Sequence, residues 1–137
     1  MTGCTVKELC AAVGGTLLQE SGAVVTEVST DSRSIPAGAL FVPLAGERFD
    51  GHDYQDAALN SGASGCLTAK EPTSLLKEKF YIQVSDTLAA LKALAAWYRA
   101  KFDIPMVQVT GSAGKTTTKE MIAVVLSQRF CTLKTQA

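Results

Sequence analysis

Apolar and polar positions recur with two different periods along the chain. Val6, Leu9, Cys10 and Val13 fall at helical spacing, and Thr5 with Glu8 forms a capping-box pattern, so a helix is predicted over residues 5–13. Gly14-Gly15 should stop it. Residues 23–30 are rich in β-branched side chains and predict a strand. A turn follows in "SIPAG", with Pro36 at its second and Gly38 at its fourth position, as type I prefers. Residues 39–46 predict another strand, whose Pro43 points to a sheet edge or a strand end.

Residues 47–53 are polar and read as a loop. A short helix is predicted from about Asp53, closed by Gly62. Short strands are predicted over 64–69 and 81–84. The longest helix should run over 86–102, capped by Asp86, with Leu88, Leu91, Ala95 and Tyr98 on its inner face. Residues 104–110 predict a strand opening into a glycine-rich segment. Residues 116–128 then predict a helix with Met121, Ile122, Val125 and Leu126 inward, and 131–135 begin one more strand. This alternation argues an α/β protein. Residues 101–105 are the best boundary, dividing the chain into 1–103 and 104–137.

Composition narrows the function. The 137 residues are 47% hydrophobic and 19% charged, with 13 basic against 13 acidic side chains and no formal net charge. No basic stripe favours nucleic acid. No apolar run is long enough to span a bilayer, and the first residues do not read as a signal peptide, so a cytoplasmic protein is expected. The four cysteines form no C-x-x-C pair and His52 is the sole histidine, so a zinc site is not expected.

The chemistry concentrates in "VTGSAGKTTTKEM", residues 109–121. Gly114-Lys115-Thr116 ends as a phosphate loop does, but the strict G-x-x-x-x-G-K-[ST] spacing would need glycine where Val109 stands. The physics is unchanged. Gly111 and Gly114 let backbone N–H groups converge on phosphate oxygens, and the following helix adds its positive end. Lys115 can reach the β- and γ-phosphates, and the Thr116 hydroxyl can ligate Mg²⁺. Thr117 and Thr118 fit a helix cap or a phosphate contact equally. A second dense stretch, residues 30–54, holds Asp31-Ser32-Arg33 and the glycine-bounded segment 46–51. Ser32 could bond a base or ribose, and Arg33 could meet a diphosphate. From residue chemistry alone, the plainer account is an Asx or Ser turn with Arg33 in a surface ion pair. His52 reads as a helix-start residue.

"DSRSIPAGALFVPLAGERFDGHDYQDAALNSGASG" and "VTGSAGKTTTKEM" resemble the Mur ligases over nearly the whole chain. The resemblance implies a small mixed α/β N-terminal domain, followed by the first strand, phosphate loop and helix of a truncated central ATPase domain. It implies a monomeric cytoplasmic enzyme of peptidoglycan synthesis that uses ATP and Mg²⁺. Such an enzyme phosphorylates the terminal carboxylate of a UDP-sugar peptide, and an amine then displaces the phosphate. The stretch from Ser85 to Met121 favours UDP-MurNAc-tripeptide and D-Ala-D-Ala as substrates. The alternatives are a diamino acid added to UDP-MurNAc-dipeptide, or a non-enzymatic binding module. Carried over residue by residue, Lys115 would be catalytic, and Gly111, Ser112, Ala113, Gly114, Lys115, Thr116 and Thr117 would bind ATP, with Thr116 on magnesium. Ser32, Arg33, Gly46, Glu47, Arg48 and Phe49 would hold the uridine diphosphate. The chain alone is expected to fold as the UDP-binding domain, to bind ATP weakly and to lack ligase activity.

Overall fold

The computed structural model describes residues 2–46, 49–72 and 74–136. The chain divides into two units, Met1–Phe102 and Asp103–Ala137.

The first unit opens with β1 (Cys4–Thr5) and α1 (Val6–Val13). The capping box forms as the residues predict: Thr5 Oγ1 accepts the Glu8 amide while the Glu8 carboxylate accepts the Thr5 amide. At the other end the Gly14 amide donates to Ala11 O and the Gly15 amide to Cys10 O, a Schellman closure. β2 (Thr16–Gln19) follows, a strand absent from the sequence reading. It pairs antiparallel with β7 (Phe80–Gln83).

The predicted strand over 23–30 is two strands in two sheets. β3 (Val24–Val25) pairs antiparallel with β1, and β4 (Val28–Ser29) pairs in parallel with β5 (Leu40–Phe41). The chain changes sheets at Thr26-Glu27, which uniform β-branching could not reveal. The turn before β5 also sits one residue later than predicted. The Ala39 amide donates to Pro36 O, which puts Pro36 first and Gly38 third, at φ 79°. A positive φ at that position is what type II demands and what glycine supplies. Pro43 lies beyond β5, at a strand end in the sheet interior.

A 3-10 turn (Gly51–Tyr54) leads into α2 (Gln55–Asn60), then β6 (Gly65–Thr68), β7 and α3 (Thr87–Ala100). The main sheet has the order β2-β7-β6-β5-β4, parallel except for β2. Successive side chains on each strand enter opposite cores. Leu40, Val42, Leu67, Phe80 and Ile82 pack with Val6 and Leu9 of α1 and Ala90 and Leu94 of α3. Phe41, Cys66 and Tyr81 pack with Ala58 and Leu59 of α2. With both faces covered, the strands read as continuous apolar runs. Burial also pushes the Cys66 thiol up to about 12, so it stays protonated.

Asp86 caps α3 through the Ala89 amide, as expected. The buried stripe is shifted, however. Thr87, Ala90 and Leu94 are buried and Leu91, Trp97 and Tyr98 pack beside them, while Leu88 is 48% exposed and Ala95 is exposed. An Ala- and Leu-rich helix offers several apolar stripes, and packing against α1 selects one.

In the second unit, α4 spans Lys115–Ser127. The predicted strand over 104–110 is absent among the described residues, since no described strand supplies a ladder for it. Met121 and Val125, predicted inward, are 65% and 70% exposed. Residues 131–135 form no strand either. They are tied to α4 by Lys119 Nζ donating to Thr135 O at 2.6 Å and by the Lys134–Glu120 ion pair.

Candidate functional site

Parallel strands side by side send their C-terminal ends to one edge of the sheet, where α/β proteins build ligand crevices. Here β4 leads into residues 30–33, β5 into 42–51 and β6 into 69–72. Both upstream candidate segments therefore leave neighbouring strands at the same edge.

The first segment is an Asx turn. The Arg33 amide donates to Asp31 Oδ1 at 2.9 Å, and the guanidinium clasps both carboxylate oxygens, Nε to Oδ1 at 2.9 Å and Nη2 to Oδ2 at 2.8 Å. That fork holds the Asp31 carboxyl down to about 2. The turn and ion pair are the plainer account of these residues, and they leave the Arg33 side chain 88% exposed at the sheet edge. Ser32 sits in the same turn.

The second segment is a tight hairpin. Ala45 bridges Asp50, the Gly46 amide donates to Phe49 O at 2.9 Å, and the Gly51 amide donates to Leu44 O at 3.0 Å. A Cβ on Gly51 would lie 2.7 Å from Leu44 N and 2.9 Å from Leu44 O. Only glycine permits that approach. Phe49 is 66% exposed beside the hairpin's Gly46. Glu47 and Arg48, expected at this site, lie outside the described residues.

Behind the hairpin, Asp50 caps the 3-10 turn by accepting the His52 amide at 2.9 Å. His52 does start a helical turn as its position suggests, but its ring is also buried in a network. Nδ1 lies 2.6 Å from Asp50 Oδ1, and Nε2 accepts the Ala69 amide at 3.1 Å. Lys70 Nζ meets Asp50 Oδ2 at 2.7 Å. The Lys70 ammonium, with the His52 amide and ring, holds the Asp50 carboxyl well below the usual range, and Asp50 raises Lys70 in return. Gln55, buried beside this network, donates to Leu67 O at 3.0 Å. The sequence reading singled out neither Lys70 nor Gln55. The D-G-H run was the available signal for the rest. An open cleft of about 280 Å³ lies over these residues, lined also by Asp53, Asp56 and Tyr81.

In the second unit, Gly111 and Gly114 both take positive φ, 151° and 75°, and Gly114 is the N-cap of α4. The Thr118 amide is bonded to Gly114 O at 2.9 Å. The amides of Lys115, Thr116 and Thr117 precede it in the first turn, where helical geometry supplies no intrahelical acceptor. Neither Thr117 nor Thr118 caps the helix at its N-cap, where no side-chain bond forms. Lys115 Nζ folds back to Gly111 O at 2.5 Å, so its ammonium stands across the loop. Residues 110–118 are exposed, Ser112 and Ala113 among them. Glycine-shaped backbone, the amides of the first helical turn and a lysine across the loop make a cradle suited to a polyphosphate. Among the described residues no cluster of three His, Cys, Asp or Glu could hold a metal, and no helix is long and apolar enough to cross a membrane.

Residues 24–124 match the family model described as Mur ligase family, catalytic domain. The UDP-N-acetylmuramoyl-tripeptide–D-alanyl-D-alanine ligase of Synechocystis sp. is 45% identical over 113 residues, covering 82% of this chain and 25% of that protein. A crystal structure of MurF from Acinetobacter baumannii superposes with a TM-score of 0.90 at 31% identity, covering all of this chain and 30% of that one. MurF from Thermotoga maritima, in complex with ADP, gives 0.67 at 33% identity, covering 77% of this chain and 24% of that one. The chain thus spans about a quarter to a third of the length of the proteins it matches. Family match, sequence and fold agree: the chain belongs to the Mur ligase family.

Proposed function

We propose that residues 2–102 hold the uridine diphosphate end of a UDP-sugar peptide, and that residues 103–136 supply the phosphate cradle for ATP. The enzyme that carries them would join D-Ala-D-Ala to UDP-MurNAc-tripeptide in cytoplasmic peptidoglycan synthesis. The observation that carries this reading is the likeness to MurF across both units, with all of the chain superposed.

Ser32, Arg33, Gly46 and Phe49 stand at or next to the carboxyl edge of the parallel sheet, which suits a nucleotide diphosphate. The exposed guanidinium already forms a planar fork, and a diphosphate presents oxygens that such a fork fits. Arg33 would exchange or share its Asp31 partner on binding. Phe49 offers an exposed ring that a base could cover.

In the second unit, Gly111, Ser112, Ala113, Gly114 and Thr117 would line the phosphates with backbone and hydroxyl groups. Lys115 would leave Gly111 O to neutralise the charge that builds on the transferring phosphoryl group. Thr116 would hold Mg²⁺. ATP supplies the phosphoryl group that makes the peptide carboxylate a good acyl donor, and the amine then takes its place. In this chain the cradle stands among exposed residues, so ATP binding should be weak.

Thermal unfolding of the chain with UDP-MurNAc-tripeptide, UDP-MurNAc-dipeptide or ATP tests the reading. The tripeptide ligand should raise Tm most and ATP least. If ATP alone stabilises the chain and neither uridine ligand does, the assignment is wrong.

A further inference from the structure

One network in the first unit has no role in the binding just described. Backbone N–H can only donate, so the 3.1 Å contact from the Ala69 amide requires His52 Nε2 to be bare. The ring proton is then on Nδ1, donated to Asp50 Oδ1 at 2.6 Å. With both ring nitrogens committed and the side chain only 6% exposed, His52 has no lone pair left to act as a general base. Asp50 is equally committed, since Oδ1 takes the His52 amide and ring while Oδ2 takes Lys70.

These bonds have a direction in the fold. Asp50 belongs to the hairpin through its bridge to Ala45, whereas Ala69 and Lys70 are the first residues after β6. The imidazole and the ammonium are thus two parallel ties from the hairpin base to the sheet. Gly51, packed directly on the Leu44 backbone, leaves the base no slack. We propose that His52 is a positioning residue, which through Asp50 and the Ala69 amide fixes the hairpin base and so holds Gly46 and Phe49 for a uridine nucleotide. This role presupposes the uridine assignment made above.

The test is calorimetric titration of the 137-residue chain with UDP, alongside NMR of the His52 ring nitrogens and urea unfolding. The wild type should bind UDP and show a protonated Nδ1 and a bare Nε2. His52→Ala should weaken binding about tenfold, the scale of losing paired hydrogen bonds. His52→Asn keeps a donor toward Asp50 but no acceptor for Ala69, and should recover part of that loss. Lys70→Met, at a side chain 59% exposed, should weaken UDP about threefold with its unfolding midpoint unchanged, which a merely stabilising contact would not produce. Should His52→Ala fail to fold, His52→Asn and Lys70→Met carry the test. Unaltered affinity in the folded variants, or a ring protonated at Nε2, overturns the positioning role and leaves the uridine assignment standing. A wild-type chain that does not bind UDP overturns both.

Discussion

Residues 2–102 and residues 103–136 are comparably apolar in sequence but use that apolarity differently. In the first unit, Leu40 and Phe41 are adjacent and both buried, one in each core. In the second, Val124 and Val125 are adjacent and both exposed, and no described residue from 103 to 136 is buried. The difference lies in topology. A parallel strand needs neighbours and a helix on each face, and β5 to β7 have them, whereas residues 104–110 have no described ladder. An ordered core and a chemically legible loop are therefore separable properties. The cradle at Lys115 comes from local glycines and a helix start, but the sheet-edge site comes from long-range pairing.

Core truncation should expose the contrast most strongly. Phe41→Ala should cost about 3–5 kcal/mol in urea unfolding, whereas Val125→Ala should stay within about 0.5 kcal/mol. Equal losses would mean that the second unit also has a cooperative core. Next, Lys115→Ala should lower turnover about a hundredfold in the proposed ligase while leaving the unfolding of this chain nearly unchanged. Near-normal turnover would remove Lys115 from the chemistry. Gly51→Ala should cost about 1–3 kcal/mol, because its Cβ would meet the Leu44 backbone. A neutral outcome would show that the hairpin base can shift.

The smallest effect is electrostatic. Arg33 and the Asx turn lower the Asp31 carboxyl from its ordinary 3.8 to about 2. A carboxyl depressed in the folded state stabilises fully above its ordinary value, and that contribution is lost as pH falls from about 3.8 toward 2. NMR titration of the Asp31 carboxyl carbon should give a midpoint near 2, returning toward 3.8 in Arg33→Ala.

Local signals in the sequence carried over well into the structure. Thr5 with Glu8 and Asp86 announce their helices because a cap is decided within four residues. What depends on distant partners did not. The β2 run "TLLQ" has no clear alternation, and β7, which makes it a strand, lies more than sixty residues away. The inner face of α3 was misjudged because Leu88 and Leu94 are equally apolar until α1 distinguishes them. The candidate site divides in the same way. The glycines at 111 and 114 announce their positive φ and the start of α4 at Lys115, but nothing local to His52 shows that its ring meets an amide seventeen residues on.

Amide NMR of the 137-residue chain, titrated separately with UDP-MurNAc-tripeptide and with ATP, tests the separation of the two regions most directly. The uridine ligand should shift Ser32, Arg33, Gly46, Phe49 and Gly51 at low concentration and leave residues 111–117 unmoved. ATP should shift residues 111–117, and only at high concentration. Tight binding of ATP, or uridine-induced shifts confined to the glycine loop, would contradict the account.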